Sequence, residues 1–154
     1  MTPRGSFVLP LAALLVLGTA TSHAGWAGGP LAKRPIPLER TGGGWIVEAK
    51  LNGRVNARFL LDSGATWCAL SERTAARLRL SQAGHRVPID TAGGTIRAPV
   101  VRLGSVDVGG RKVRDVQAIV LSALDEDLDG ILGLNFLNQF RYAIDPRSSV
   151  LRLD

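Results

Sequence analysis

From Trp45 onward, apolar residues come in short runs, many with polar residues at alternate positions, and the runs stop at Gly, Asn, Asp or Pro. WIVEAKL (45–51) and VNARFLL (55–61) are strand-like and meet at Asn52-Gly53. That pair predicts a tight hairpin, because both turn positions need positive φ. RVPID (86–90) and TIRAPVVRL (95–103) flank the Gly-rich tip Thr91-Ala92-Gly93-Gly94. SVDV (105–108) and KVRDVQAIVL (112–121) flank Gly109-Gly110, and FRYAID (140–145) and SVLRLD (149–154) flank Pro146-Arg147-Ser148. Two stretches break the alternation. ERTAARLRL (72–80) has helical spacing behind Ser71, a good N-cap, with Ala75, Ala76 and Leu78 toward the core. GILGLNFLNQF (130–140) is long enough for a short buried helix. Short strands with evenly spaced turns predict a mostly-β barrel or sandwich with one or two short helices.

The first 44 residues follow another pattern. Arg4 precedes the apolar run FVLPLAALLVL (7–17), and Ser22-His23-Ala24 places small residues where a signal peptidase reads. Residues 1–24 therefore read as a signal peptide, and the chain as exported, to the periplasm or beyond. The run is short of the roughly 20 residues that span a bilayer, and Pro10 weakens it as a helix. A membrane enters only if this segment stays uncleaved as an anchor. Residues 25–44, rich in Gly and Pro and without periodicity, read as a linker or loosely attached arm. Residues 45–154 are left as one folded domain.

Composition narrows the chemistry by exclusion. The chain has 154 residues, 45% hydrophobic and 21% charged, enough for one domain. Its formal charge is +6, or +5 without residues 1–24, spread over scattered Arg residues. There is no dense basic block with interleaved aromatics, so nucleic acid is not an expected partner. Without His23, one His (His85, in a Gly-containing loop) and one Cys (Cys68) remain, too few for a Cys/His metal site in one chain. No metal or cofactor is expected. The G-x-S-x-G elbow and the phosphate-binding Gly loops are missing. Carboxylate chemistry is what remains.

The residues that fit it are in FLLDSGATWCALS (59–71), where an apolar run drives straight into Asp62. A buried unpaired carboxylate is costly, so Asp62 either turns toward water or is held for chemistry. Asp62-Ser63-Gly64-Ala65-Thr66, the Gly-rich hairpin at 91–95 and then Gly130-Ile131-Leu132-Gly133 follow in that order. This succession resembles the retropepsin-like (clan AA) aspartic proteases. The ALS-x-x-x-A run after the loop and the IDP-x-x-x-x-L-x-L ending are similar to its bacterial exported or membrane-anchored members. The likeness spans about residues 45–153.

The resemblance implies a single-domain, closed β-barrel acting as a homodimer on a peptide or protein substrate. Asp62, Ser63 and Gly64 would form the catalytic loop, with Asp62 of each subunit supplying one carboxylate of a dyad that activates water. Ala65 and the flap residues Thr91, Ala92, Gly93 and Gly94 would bind substrate. Gly130, Ile131, Leu132 and Gly133 would pack behind the loop. Asp90-Thr91-Ala92-Gly93 is no second loop, since Ala92 stands where Gly is required and the segment falls at the flap. Asp129 reads as a surface-loop acid, Trp67 as core packing or as the wall of a subsite, and Cys68 as buried. SVLRLD is the candidate interface strand, because an unpaired edge invites pairing. Two rival readings stand beside the protease: a dimeric binding or adaptor module of weak or lost activity, and a structural dimer linked through Cys68.

Overall fold

The computed structural model describes residues 34–154 apart from Ala83, Ala92 and Gly93. The signal-like segment, the start of the arm and most of the flap tip lie outside the described residues. In chain order the strands are β1 (Ile36–Pro37), β2 (Glu39–Thr41), β3 (Gly44–Leu51), β4 (Val55–Leu61), β5 (Cys68–Ser71), β6 (Arg86–Thr91), β7 (Gly94–Val108), β8 (Arg111–Leu121), β9 (Gly130–Leu132), β10 (Tyr142–Asp145) and β11 (Val150–Leu153). Two short helices, α1 (Glu72–Arg77) and α2 (Leu134–Leu137), interrupt them.

The β3–β4 hairpin forms where Asn-Gly predicts it, with φ of 49° at Asn52 and 70° at Gly53. Alternation then sorts its side chains. Val47, Ala49 and Leu51 of β3 and Ala57, Phe59 and Leu61 of β4 are all buried in the core. The turn also docks on β7: the Asn52 N–H donates to the Ser105 carbonyl (2.9 Å), and Asn52 Oδ1 accepts from the Ser105 N–H (3.1 Å). The expected strands at 95–103 and 105–108 are thereby one continuous 15-residue strand running through Gly104. Ser71 caps α1 as expected, accepting from the Thr74 N–H. Ala75 and Leu78 face the core, whereas Ala76 is exposed.

Eight strands form one sheet in the order β2-β3-β4-β9-β5-β8-β7-β6. The sheet curls until β3 meets β7, through only two residue pairs, Lys50↔Asp107 and Leu51↔Val106. It is a partly closed barrel rather than the closed one expected, because β2 and β6 stay at its edges. The fold is otherwise the mostly-β domain with two short helices.

Two expectations about the chain ends change. The segment 25–44 is not all loose arm. β1 pairs with β11, and Ile36 and Leu38 are buried in the core at 5% and 7% exposure. Burying such side chains stabilises a fold by about 1.5–3 kcal/mol each, so the folded unit starts ahead of Trp45. Nor does β11 offer an unpaired edge. It is the middle strand of a second sheet, β1-β11-β10, and the free edges there belong to β1 and β10.

Candidate active site

Strand alternation answers why an apolar run ends in a carboxylate. Phe59 and Leu61 point into the core; Asp62 is the first residue past the end of β4 and is half-exposed. A sharp turn follows. The Asp62 N–H donates to the Leu132 carbonyl (3.2 Å), the Ala65 N–H to the Asp62 carbonyl (3.3 Å), and the Gly64 N–H to Asp62 Oδ1 (2.8 Å). A Cβ on Gly64 would sit 3.1 Å from that oxygen, so glycine gives the N–H its close approach. Among the described residues Oδ2 of Asp62 accepts no hydrogen bond. The turn thus pins one carboxylate oxygen and leaves the other without a hydrogen-bond donor among the described residues.

Behind the loop, β9 is a wedge between its two legs. It pairs parallel with β4 (Leu60↔Ile131, Leu61↔Leu132) and antiparallel with β5 (Ala69↔Ile131). The fit depends on missing side chains. A Cβ on Gly130 would overlap the Ala69 carbonyl oxygen and lie 2.8 Å from Phe59 Cζ. One on Gly133 would overlap the Trp67 carbonyl and lie 2.8 Å from the Ala65 oxygen. Past Gly133, the Leu134 N–H donates to Ala65 (2.8 Å) and the Asn135 N–H to Thr66 (3.1 Å). The Asn135 side chain bridges the outgoing leg to β8, accepting from the Cys68 N–H (2.8 Å) and donating to the Gln117 carbonyl (2.7 Å). The structure brings residues 62–65 and 130–133 together as one unit.

A family model described as "gag-polyprotein putative aspartyl protease" matches residues 47–139, well over half of the chain. The chain belongs to the retropepsin-like aspartic protease family. The fold agrees: a solved structure of a retropepsin-like aspartic protease from Rickettsia conorii is 26% identical, with a TM-score of 0.63, over 77% of this chain and 88% of that one. Among curated proteins no sequence matches. Membership carries the family's general function, aspartic proteolysis. The second sheet lies wholly outside the residues that the family model matches.

One residue of this retropepsin-like site was misjudged from the sequence. Asp129 is not a free surface acid. Its side chain is 13% exposed, and both oxygens are engaged. Oδ2 accepts from the Arg58 N–H (3.0 Å); Oδ1 accepts from the Thr74 hydroxyl (2.9 Å) and from Arg77 Nη1 (3.2 Å). Arg73 Nη2 stands 3.6 Å away. Burial alone would raise the carboxyl's pKa, but these donors and cations outweigh it and hold it below the usual aspartate value. Its place directly before Gly130 was the available signal.

The flap is the β6–β7 hairpin, closed by the pair Thr91↔Gly94, with Gly94 at φ 111°. Ala92 and Gly93 lie outside the described residues. On this hairpin Asp90 accepts from the Thr95 hydroxyl (2.7 Å) and stays out of the loop. The hairpin's base joins the loop through a second, smaller apolar cluster. Ala69, Ala98 and Ile119 are its buried centre, with Trp67, Val87, Ile89, Val100, Leu121 and Ile131 half-covered around them. Trp67 packs there, on the flap side of the sheet, and not in the main core. His85 is exposed. Cys68 is fully buried, and that burial pushes its thiol up to about 11, against hydrogen bonds from the Gly133 and Phe136 backbone. A thiol-linked dimer does not fit a thiol without solvent access. A cavity of about 810 Å³ lies elsewhere, lined by Ile36, Leu38, Glu48 and Asn56 among others and not by Asp62.

Proposed function

We propose that the protein is an aspartic endopeptidase that works as a two-fold homodimer, with Asp62 of each subunit forming the catalytic pair. The observation that carries this reading is the Asp62 carboxylate, half-exposed on a hydrogen-bonded turn, with Oδ1 held by the Gly64 N–H and Oδ2 without a donor among the described residues. Aspartic proteolysis needs two such groups. Within the chain, Asp129 is fully engaged by its own donors and Asp90 sits on the flap, so a second copy is the source of the second carboxylate.

Two carboxylates about 3 Å apart share one proton. The ionised member takes a proton from a water lying between them, and the water oxygen bonds to the scissile carbonyl carbon. The protonated member hydrogen-bonds the carbonyl oxygen as it gains charge. Collapse of the tetrahedral intermediate breaks the C–N bond, and a proton passes from the pair to the leaving nitrogen. The Ser63 hydroxyl would brace the loop against its counterpart in the second subunit; Ala65 and the flap residues 91–94 would hold the peptide. Since β11 is interior, the second sheet offers a partner the edges of β1 and β10. The signal-like composition of residues 1–24 supports export of this activity from the cytoplasm, and intact mass of the exported protein reads whether residues 1–24 are removed.

The test is a peptide-library digest with wild type, Asp62→Asn and defined mixtures of the two. An intersubunit pair makes activity fall with the square of the wild-type fraction. A linear fall, or cleavage by pure Asp62→Asn, would refute the shared pair. No cleavage by wild type at any pH would leave a binding module as the better reading.

A further inference from the structure

We infer that Asp129 is a positioning residue for Asp62: an ionised lock that fixes the height of β9 between the two legs of the catalytic loop. This rests on the reading that Asp62 is the reacting carboxylate.

Among the described strands β9 alone pairs with both legs, and it holds the loop directly, because the Leu132 carbonyl takes the Asp62 N–H. Whatever sets the position of β9 therefore sets that of Asp62. Directly before its far end stands Asp129, whose contacts reach β4, β5 and α1. Its backbone N–H donates to the Arg58 carbonyl on β4 (2.9 Å), and its carbonyl accepts from Ser71 at the end of β5 (2.9 Å). The β4–β9 ladder starts at Phe59↔Gly130. One residue earlier, the Arg58 N–H meets no backbone carbonyl of β9 but Asp129 Oδ2. The carboxylate thus serves as the next rung. Through Oδ1 it also holds Thr74, which is fully buried in α1, whose hydroxyl in turn accepts from Ser71 Oγ, the helix cap.

Every group facing this carboxylate is a donor: a backbone N–H, a hydroxyl and two guanidiniums. An amide cannot satisfy such a set, because its NH2 group has to face one of the donors. Charge is required as well as shape. β9 is three residues long, so the lock acts on Asp62 from roughly 10 Å away, at about 3.3 Å per residue. Gly130 and Gly133 leave no room for a side chain of their own, so β9 sits directly against the Ala69, Trp67 and Ala65 backbone.

A purely structural role and a positioning role separate in the Gly64 amide. Its N–H bonds Asp62 Oδ1, so its chemical shift reports the turn itself. The experiment records the Gly64 amide resonance in wild type, Asp129→Asn and Thr74→Val, each well below its melting temperature, alongside kcat and KM. Thr74→Val removes a single donor from the lock and serves if Asp129→Asn fails to fold. Positioning predicts a moved Gly64 resonance in each folded variant. It also predicts a kcat drop of about tenfold for Asp129→Asn with KM within about twofold. Folded variants that melt lower yet keep the wild-type Gly64 shift and kcat overturn the inference. If wild type itself cleaves nothing, the proteolytic reading fails while the Gly64 shift still decides the lock.

Discussion

Replacing Gly133 by Ala probes the wedge with a single methyl. The backbone at Gly133, φ −95° and ψ −178°, is extended and suits alanine. Any penalty is therefore steric. The new Cβ would overlap the Trp67 carbonyl and come within 2.8 Å of the Ala65 oxygen. Both are backbone atoms that cannot swing aside as a side-chain tip would. Restoring ordinary contact requires a shift on the order of 1 Å between α2 and the loop. The hydrogen bonds from Leu134 to Ala65 (2.8 Å) and Asn135 to Thr66 (3.1 Å) then pass beyond bonding range. Two lost bonds at about 0.5–1.5 kcal/mol each and overpacking at about 1–3 kcal/mol sum to about 2–6 kcal/mol. For a domain of this size that lowers Tm by about 10 °C or more. Gly42→Ala is the matched control, because its Cβ would meet no atom within 4 Å; it should stay within about 0.5 kcal/mol of wild type. Thermal unfolding by circular dichroism measures both. If Gly133→Ala melts like Gly42→Ala, the wedge is not close-packed and the account of β9 is wrong.

Two further outcomes follow from the ionisable groups. Asp129 has a lowered pKa in the folded state, so its stabilisation is complete above the ordinary carboxylate range and is lost as pH falls through the lowered value. The urea-midpoint gap between wild type and Asp129→Asn should hold at about pH 6 and close on acidification below about pH 4; a gap constant down to about pH 2 would contradict the assignment. Cys68 should resist a thiol reagent at about pH 8 in the native protein and react fully in denaturant. A disulfide-linked dimer on a non-reducing gel would contradict its burial.

The parts of the fold legible in the sequence are those specified by neighbours in the chain. Asn52-Gly53 dictates its own turn, Ser71 its own cap, and the alternation from Val55 to Leu61 delivers Asp62 past the core with no other information needed. Gly130 and Gly133 were placed behind the loop by the family resemblance, not by any local pattern of their own. What escaped depends on partners far along the chain. Ile36 and Leu38 sit among prolines and look like linker until β11 pairs with β1. Asp129 looks like one more acid after Asp125, Glu126 and Asp127 until the fold gathers Arg58, Thr74 and Arg77 around it. Incomplete closure of the barrel rests on a two-pair contact between β3 and β7 that no local pattern encodes.

The pairing of Ile36 with Leu151 joins positions more than a hundred residues apart. Loop closure of that span is entropically slow, and contacts of this separation form late in folding. Leu151 and Leu153, both fully buried, cannot enter the core until the ribosome has made nearly everything before them. The second sheet therefore forms only after β11 has been made, with the earliest described strand waiting on it. During that interval Ile36, Leu38, Leu151 and Leu153 are uncovered together, and this is when the molecule is most open to aggregation and to other proteases.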